Sequence, residues 1–308
     1  MSQTTQHLLM VRPVQFRMNE QTAVNNYYQD KDAQVSNPNK KAQEEFDAFA
    51  KALTEAGVNV HVVHDTDEHD SPDSIFPNNW VSFHESGDIV IYPMFAENRR
   101  TERHMDIFAE LEEKGFQIAN LVDFTTAEEE ELFLEGTGSL ILDRVHKKAY
   151  CALSPRASVE LLDEWCEVME YNPVAFIANQ TVDGKRKPIY HTNVMMCIAD
   201  NYAIVCLDCI DSKAEKKMVA DSLTADGKKI FTISEKQVEQ FAGNMLQVQT
   251  KDGTALVLSK TAHDSLRPAE LQMLQDLDKL IVADVGTIER LGGGSVRCML
   301  AEVFLPTL

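Results

Sequence analysis

The stretch NVMMCIADNYAIVCL, residues 193–207, decides how this chain is read. Two apolar runs flank Asp200-Asn201, a pair suited to a tight turn, so the segment predicts a β-hairpin. Downstream, SKAEKKMVADSLTADG (212–227) predicts an amphipathic helix that stops at Gly227, and KIFTIS (229–234) predicts a strand. Hairpin, helix and strand form one unit.

Working outward, the same order recurs. MLQVQTKDGTALVLS (245–259) turns at Asp252-Gly253; a helix then starts near Arg267-Pro268 and KLIVADV (279–285) follows. Upstream, SLILDRVHKKAYCAL (139–153) turns near His146-Lys147. Ser154-Pro155 begins a helix through VELLDEWCEVM, and PVAFIA (173–178) follows. WVSFHESGDIVIYPM (80–94) turns at Ser86-Gly87, before a helix predicted over 98–115 and the strand FQIANLV. The first helix, 39–57, places Ala42, Phe46, Phe49 and Leu53 on one face and precedes VNVHVV. SVRCMLAEVFLP (295–306) starts a fifth hairpin with no second half; LLMV (8–11) is its candidate partner. A period of about 55 residues suggests a closed radial array. The expectation is an α/β fold, a five-bladed pseudo-symmetric propeller. No Pro/Gly/Ser linker or composition shift divides the chain, so residues 1–308 are read as a single domain.

Composition narrows the function. The 308 residues are 44% hydrophobic and carry a net charge of -20, which excludes nucleic acid as partner because phosphate binding needs clustered Lys and Arg. No apolar run reaches the roughly 18 residues of a membrane span. The start, MSQTTQHLLMV, lacks a basic-then-apolar signal pattern. A cytoplasmic protein acting on a small molecule is expected. Cys151, Cys166, Cys197, Cys206 and Cys209 sit in apolar surroundings and read as buried thiols. Cys206 and Cys209 form a CxxC, but no second pair follows, so zinc is not expected.

Each unit carries a polar or reactive group where its first strand begins. These are Asn78 and Asn79 in FPNNW, Glu135 in LEGTGS, His191 and Asn193 in YHTN, Asn244 in AGNML, and Cys298 in GGGSVRC. Singly, each has a plain reading: a turn asparagine, a core histidine, a small apolar cysteine. In a closed array, equivalent positions converge at one end and line one pocket. A cysteine there can attack as the thiolate. A histidine can activate it and protonate a departing amine, and a carboxylate can orient the histidine and relay protons from water. This chemistry needs no metal and no organic cofactor.

These motifs resemble the pentein superfamily of guanidine-modifying enzymes, which includes arginine deiminase, dimethylargininase and the amidinotransferases. The resemblance covers nearly the whole chain and implies a five-bladed α/β propeller. It matches Leu134-Glu135-Gly136 to the family's Leu-Glu-Gly, His191 to its His-x-Asp, and Cys298 to its late glycine-rich loop. It implies a catalytic set of Cys298, His191 and Glu135. LSPRAS resembles the stretch with a substrate-carboxylate arginine, here Arg156, and ENRRTER offers Arg99 or Arg100 as a second.

The departures bear on substrate. Asn79 and Asn193 stand where arginine deiminases carry Asp. A carboxylate pairs with a guanidinium through charge-assisted bonds, whereas an amide adds a donor that suits a ureido oxygen. Asn78, Asn79, Asn193 and Asn244 are therefore candidate substrate contacts. The chain resembles citrulline-utilisation hydrolases, which implies cleavage of citrulline to ornithine, ammonia and carbon dioxide. Gly138 stands where many relatives carry Asp, which leaves recognition of the substrate α-amino group open. The alternatives are an arginine deiminase-like guanidine hydrolase, an amidinotransferase, and a non-catalytic binding propeller. The acidic segment 65–76, DTDEHDSPDSIF, reads as a solvated loop, with a lid as its other reading.

Overall fold

The computed structural model describes residues 2–307. Five three-stranded sheets repeat one topology: a short antiparallel pair, then a third strand parallel to the second. In the stretch that opened the sequence reading, Met196–Ile198 pairs with Tyr202–Val205, and Lys229–Thr232 runs parallel to the latter. A parallel neighbour needs a long crossover, and the helix Lys213–Ala225 supplies it. Ser212 caps that helix by accepting from the Glu215 amide at 3.3 Å.

The chain ends share a sheet, as the missing half-hairpin required. Ala301–Glu302 pairs antiparallel with His7–Arg12, which runs parallel to Asn59–His64. The helix Pro38–Glu55 buries Ala42, Phe46, Phe49 and Leu53. Burial falls from first strand to third. Val81–Phe83, Leu140–Asp143 and Met196–Ile198 are buried throughout, whereas Asn120–Asp123 and Lys229–Thr232 have no buried residue. The first strands therefore lie innermost, and their beginnings are where the candidate residues sit. A tight helical turn precedes several of them: Pro77–Asn79, Gly136–Ser139 and Thr192–Val194.

The helix expected over 98–115 is broken into a 3₁₀ segment, Glu97–Glu102, and a short helix, Ile107–Glu113. Side chains within and just after the first piece act as tethers. Arg99 donates to the Phe76 carbonyl, Arg103 to the Tyr92 carbonyl, and His104 pairs with Asp65 at 3.0 Å. Tertiary partners override helical propensity here. An additional hairpin, Asn179–Val182 with Lys185–Pro188, turns at Asp183-Gly184, both at positive φ. Residues 13–36 contain no helix or strand. Among the described residues no helix is long and apolar enough to cross a membrane.

Lys228 joins two units. Its Nζ donates to the Ala199 carbonyl at 3.1 Å and the Asp200 carbonyl at 2.8 Å, and it lies 3.2 Å from Asp143 Oδ2. Both side chains are almost wholly buried. Lys228→Ala is expected to cost about 3 kcal/mol, because it takes the buried cation from Asp143 and leaves that carboxylate to His146 alone. Urea midpoints measure this; an unchanged midpoint would show that the pair contributes nothing.

Candidate active site

Glu135 is fully buried and anchors the site. Its Oε2 accepts from His191 Nε2 at 2.6 Å and lies 3.5 Å from Arg156 Nη1, while Oε1 accepts from the Phe95 amide at 2.9 Å. Burial pushes its pKa up, but Arg156, the hydrogen bond and charge of His191, and Arg99 together lower it below the usual carboxylate range. The His191 pKa is lowered as well: burial takes it to about 4 against the pull of Glu135. The resting pair is thus a carboxylate accepting from a neutral imidazole, with Nδ1 left as the nitrogen Glu135 does not engage.

Cys298 is 3% exposed. Asn193 Nδ2 donates to its sulfur at 3.4 Å and Asn244 Nδ2 at 3.3 Å. The Asn244 amide has one allowed orientation, since its Oδ1 accepts from the Arg297 N–H at 3.0 Å. Asn79 is oriented likewise: Arg99 Nη1 donates to its Oδ1 at 2.8 Å, so its Nδ2 faces the other way. Asn79 Nδ2 and Asn193 Oδ1 are both buried without a hydrogen-bond partner. Unmet buried polar atoms are costly, and a ligand is one way to meet them.

Asn79, Arg99, Arg156, Tyr190, His191 and Cys298 line one cavity, together with Asn26, Asp73 and Phe76. The space left for the centre of a water molecule is about 10 Å³, enough for one water and too little for an amino acid. The segment 13–36 covers it. Asn25 Oδ1 accepts from Arg156 Nε and Nη2, and the Thr22 carbonyl also accepts from Nη2. Asn26 and Gln29 donate to carbonyls of Gly292 and Leu291, just before Cys298 in the chain. Substrate access therefore requires this cover to lift.

Of the residues expected from sequence, Cys298, His191, Glu135, Asn79, Asn193, Arg156 and Asn244 are brought together. Two others lie apart from this group. Arg100 does not line the cavity; it donates to the Met94 carbonyl and pairs with Glu128 at 3.4 Å. Arg99 is the arginine of that stretch that reaches the site, and it is held by Glu102 at 2.9 Å. Asn78 does not line the cavity either, because its Nδ2 donates to Thr137 Oγ1 at 3.3 Å.

The loop 65–76 is not solvated along its second half: Ser71, Asp73, Ser74, Ile75 and Phe76 are buried. Asp73 was not singled out from sequence, since it sits in an acidic, turn-rich stretch. Its Oδ2 accepts from Asn19 at 2.8 Å and Thr22 at 3.2 Å, while Oδ1 is buried without a partner. Burial raises its pKa despite Arg99. Gly138 has a steric reason: a Cβ there would lie 2.3 Å from Asn79 Nδ2 and 2.8 Å from His191 Nδ1. An Asp does not fit at this position.

A mixed α/β array carrying Cys, His and Glu at the starts of its innermost strands is the mark of the pentein class. The family model described as N,N dimethylarginine dimethylhydrolase, eukaryotic, matches residues 12–305, and the chain belongs to that family. No curated protein sequence matches it. Among solved structures, it is similar to apo ArgZ, an arginine dihydrolase from the ornithine–ammonia cycle in cyanobacteria. Identity is 17% and the TM-score 0.75, over 98% of this chain and 41% of that one. This chain thus spans about two-fifths of full-length ArgZ. The product-bound N-terminal domain of ArgZ matches at 17% identity and a TM-score of 0.74, covering 97% of this chain and 99% of that one. A dimethylarginine dimethylaminohydrolase adduct with S-methyl-L-thiocitrulline matches at 15% and 0.64, over 97% and 99%. At these identities the likeness to solved structures establishes the fold.

Gly138→Ala is expected to keep the fold but abolish turnover, by displacing Asn79 and His191 together; circular dichroism alongside an activity assay checks this. Full turnover would show that the close approach is dispensable. Acid stability gives a second test. His191 titrates near 6.5 when unfolded and near 4 when folded, so between those values the unfolded chain binds the extra proton and stability falls. Urea midpoints at pH 7 and pH 4.5 should therefore differ less in His191→Gln than in the parent. Equal losses in both would mean that His191 is not buried neutral.

Proposed function

We propose that this protein is a cysteine hydrolase that cleaves citrulline to ornithine, ammonia and carbon dioxide. The observation that carries the reading is the pair of unmet amide atoms near Cys298. A primary ureido group offers one carbonyl oxygen, which Asn79 Nδ2 can serve, and an NH2, which Asn193 Oδ1 can accept. A guanidinium has only donors and would leave Asn79 Nδ2 unmet.

In this reading Cys298 Sγ attacks the ureido carbon, with Asn193 and Asn244 donating to the sulfur. His191 takes the thiol proton and returns it to the departing ornithine nitrogen as the carbon–nitrogen bond breaks. Glu135 holds the imidazole and stabilises its transient charge. Water, deprotonated by His191, then attacks the S-carbamoyl carbon and frees carbamate, which decays to ammonia and carbon dioxide. Arg156 receives the substrate carboxylate once Asn25 releases it, and Asp73 Oδ1 receives the ammonium. Neither a metal nor an organic cofactor takes part in these steps.

The same proposal takes residues 1–308 as one catalytic domain whose five units close as a five-bladed propeller. The sheet shared by the chain ends supports that closure. Six free cysteines suit a reducing, cytoplasmic compartment.

A second reading, a guanidine hydrolase, is favoured by Asp73. Asp73 shares Arg99 with Glu102, its Oδ2 lying 3.9 Å from Arg99 Nε, while its Oδ1 has no hydrogen-bond partner, and a cationic side chain would serve that oxygen. Product analysis with citrulline, arginine and dimethylarginine separates the two. Ornithine and ammonia from citrulline alone, lost in Cys298→Ser, is the expected result. Citrulline appearing from arginine or dimethylarginine would replace the first reading by the second. Asn79→Asp combined with Asn193→Asp is expected to lower citrulline turnover at least about a hundredfold, the cost of two misplaced buried hydrogen-bonding groups, and to gain turnover of arginine.

A further inference from the structure

The CxxC pair takes no part in the reaction proposed above. Cys206 precedes the 3₁₀ turn Leu207–Cys209, and the Cys209 amide donates to the Cys206 carbonyl at 3.3 Å. Such an i to i+3 closure holds the end Cα atoms within about 7 Å. That overlaps the roughly 4.4–6.8 Å range of a disulfide. The Cys206 thiol is held below its usual pKa by the neighbouring Cys209 thiol and by the backbone N–H groups of Cys209 and Asp208. Both cysteines are free and neither is exposed.

What closes them off includes a residue of the cover. Tyr28 belongs to the segment over the active site; its hydroxyl is buried without a hydrogen-bond partner, and it packs against the apolar cluster that contains both cysteines. Its ring lies 5.7 Å from Phe241 and 6.0 Å from Tyr190. Tyr190 in turn lies 4.6 Å from the His191 ring, and its hydroxyl donates to the Gly293 carbonyl at 2.6 Å. The seat of Tyr28 is therefore shared between the thiol pair and the catalytic pocket.

We propose that Cys206 and Cys209 are a reversible redox site, covered by Tyr28 and opened to oxidant when the segment 13–36 lifts. The oxidant class is a small hydroperoxide. The Cys206 sulfur attacks one peroxide oxygen; the O–O bond breaks, the other oxygen leaves with the thiol proton as water, or as an alcohol from an organic hydroperoxide, and Cys206 becomes a sulfenic acid. The Cys209 sulfur then attacks the Cys206 sulfur; the S–S bond forms, the S–O bond breaks, and a second water carries off the Cys209 proton. Two electrons pass from the sulfurs to the peroxide, and a dithiol reverses the change by exchange. Cys206 is the attacking member because its thiol is the one held below its usual range.

The test uses the full chain in a Cys298→Ser background, so that the active-site thiol does not contribute. The chain is treated with dilute hydrogen peroxide and mapped by peptide mass. The expected result is loss of two hydrogens on the peptide bearing both cysteines, restored by dithiothreitol and absent in Cys206→Ser. Tyr28→Ala should speed the reaction about tenfold or more by removing the cost of local opening, while Tyr28→Phe, which keeps the ring, stays near the parent rate. Either of two results overturns the proposal: Cys206 and Cys209 oxidising no faster than the buried Cys151 and Cys197, or a Tyr28→Ala rate equal to the parent's.

Discussion

An ionised carboxylate without water around it must be compensated by protein, and Glu135 is that carboxylate. Its partners come from different parts of the chain: His191 from one unit, Arg156 from the turn after another hairpin, the Phe95 amide from a third. Meeting the needs of one buried oxygen pair therefore also brings the strand beginnings together. The same requirement extends to the other donors of Arg156. Its remaining donors are taken up by Asn25 and by the Thr22 carbonyl of the covering segment. Closure of the site and neutralisation of its charges are one set of contacts.

Around the sulfur the deciding feature is amide polarity. An asparagine can present either a donor or an acceptor, and which one faces the substrate depends on what holds its other end. Arg99 settles this for Asn79 and the Arg297 N–H for Asn244. Arg99 is itself held by Glu102 and by the carbonyls of Asp73 and Phe76, so the loop 65–76 acts on Asn79 through it. Gly138 completes the arrangement by leaving room for Asn79 and His191 side by side.

The repeating units were legible because alternation, turn residues and helix stops are local properties. The five groups at equivalent strand beginnings were legible because register repeats with them, and the family to which the chain belongs was visible in the same motifs. Other features were hidden. Arg99 and Arg100 are adjacent and chemically identical, and only the break in the expected helix decides which one turns inward. Asp73 looked like one more acid in a polar loop until Asn19 and Thr22 closed over it. The segment 13–36 has no periodicity to mark it, since its order comes from bonds to residues far along the chain.

The sequence by itself determined the strand–hairpin–helix units, the pairing of the two chain ends in one sheet, and the chemical types gathered at the strand beginnings. These follow from side-chain periodicity and backbone preference, which act over a few residues. The tertiary structure alone decided which way each amide points, which arginine enters the cavity, and that the cavity is shut. Those outcomes depend on single hydrogen bonds between groups tens to hundreds of residues apart, whose geometry no local pattern encodes.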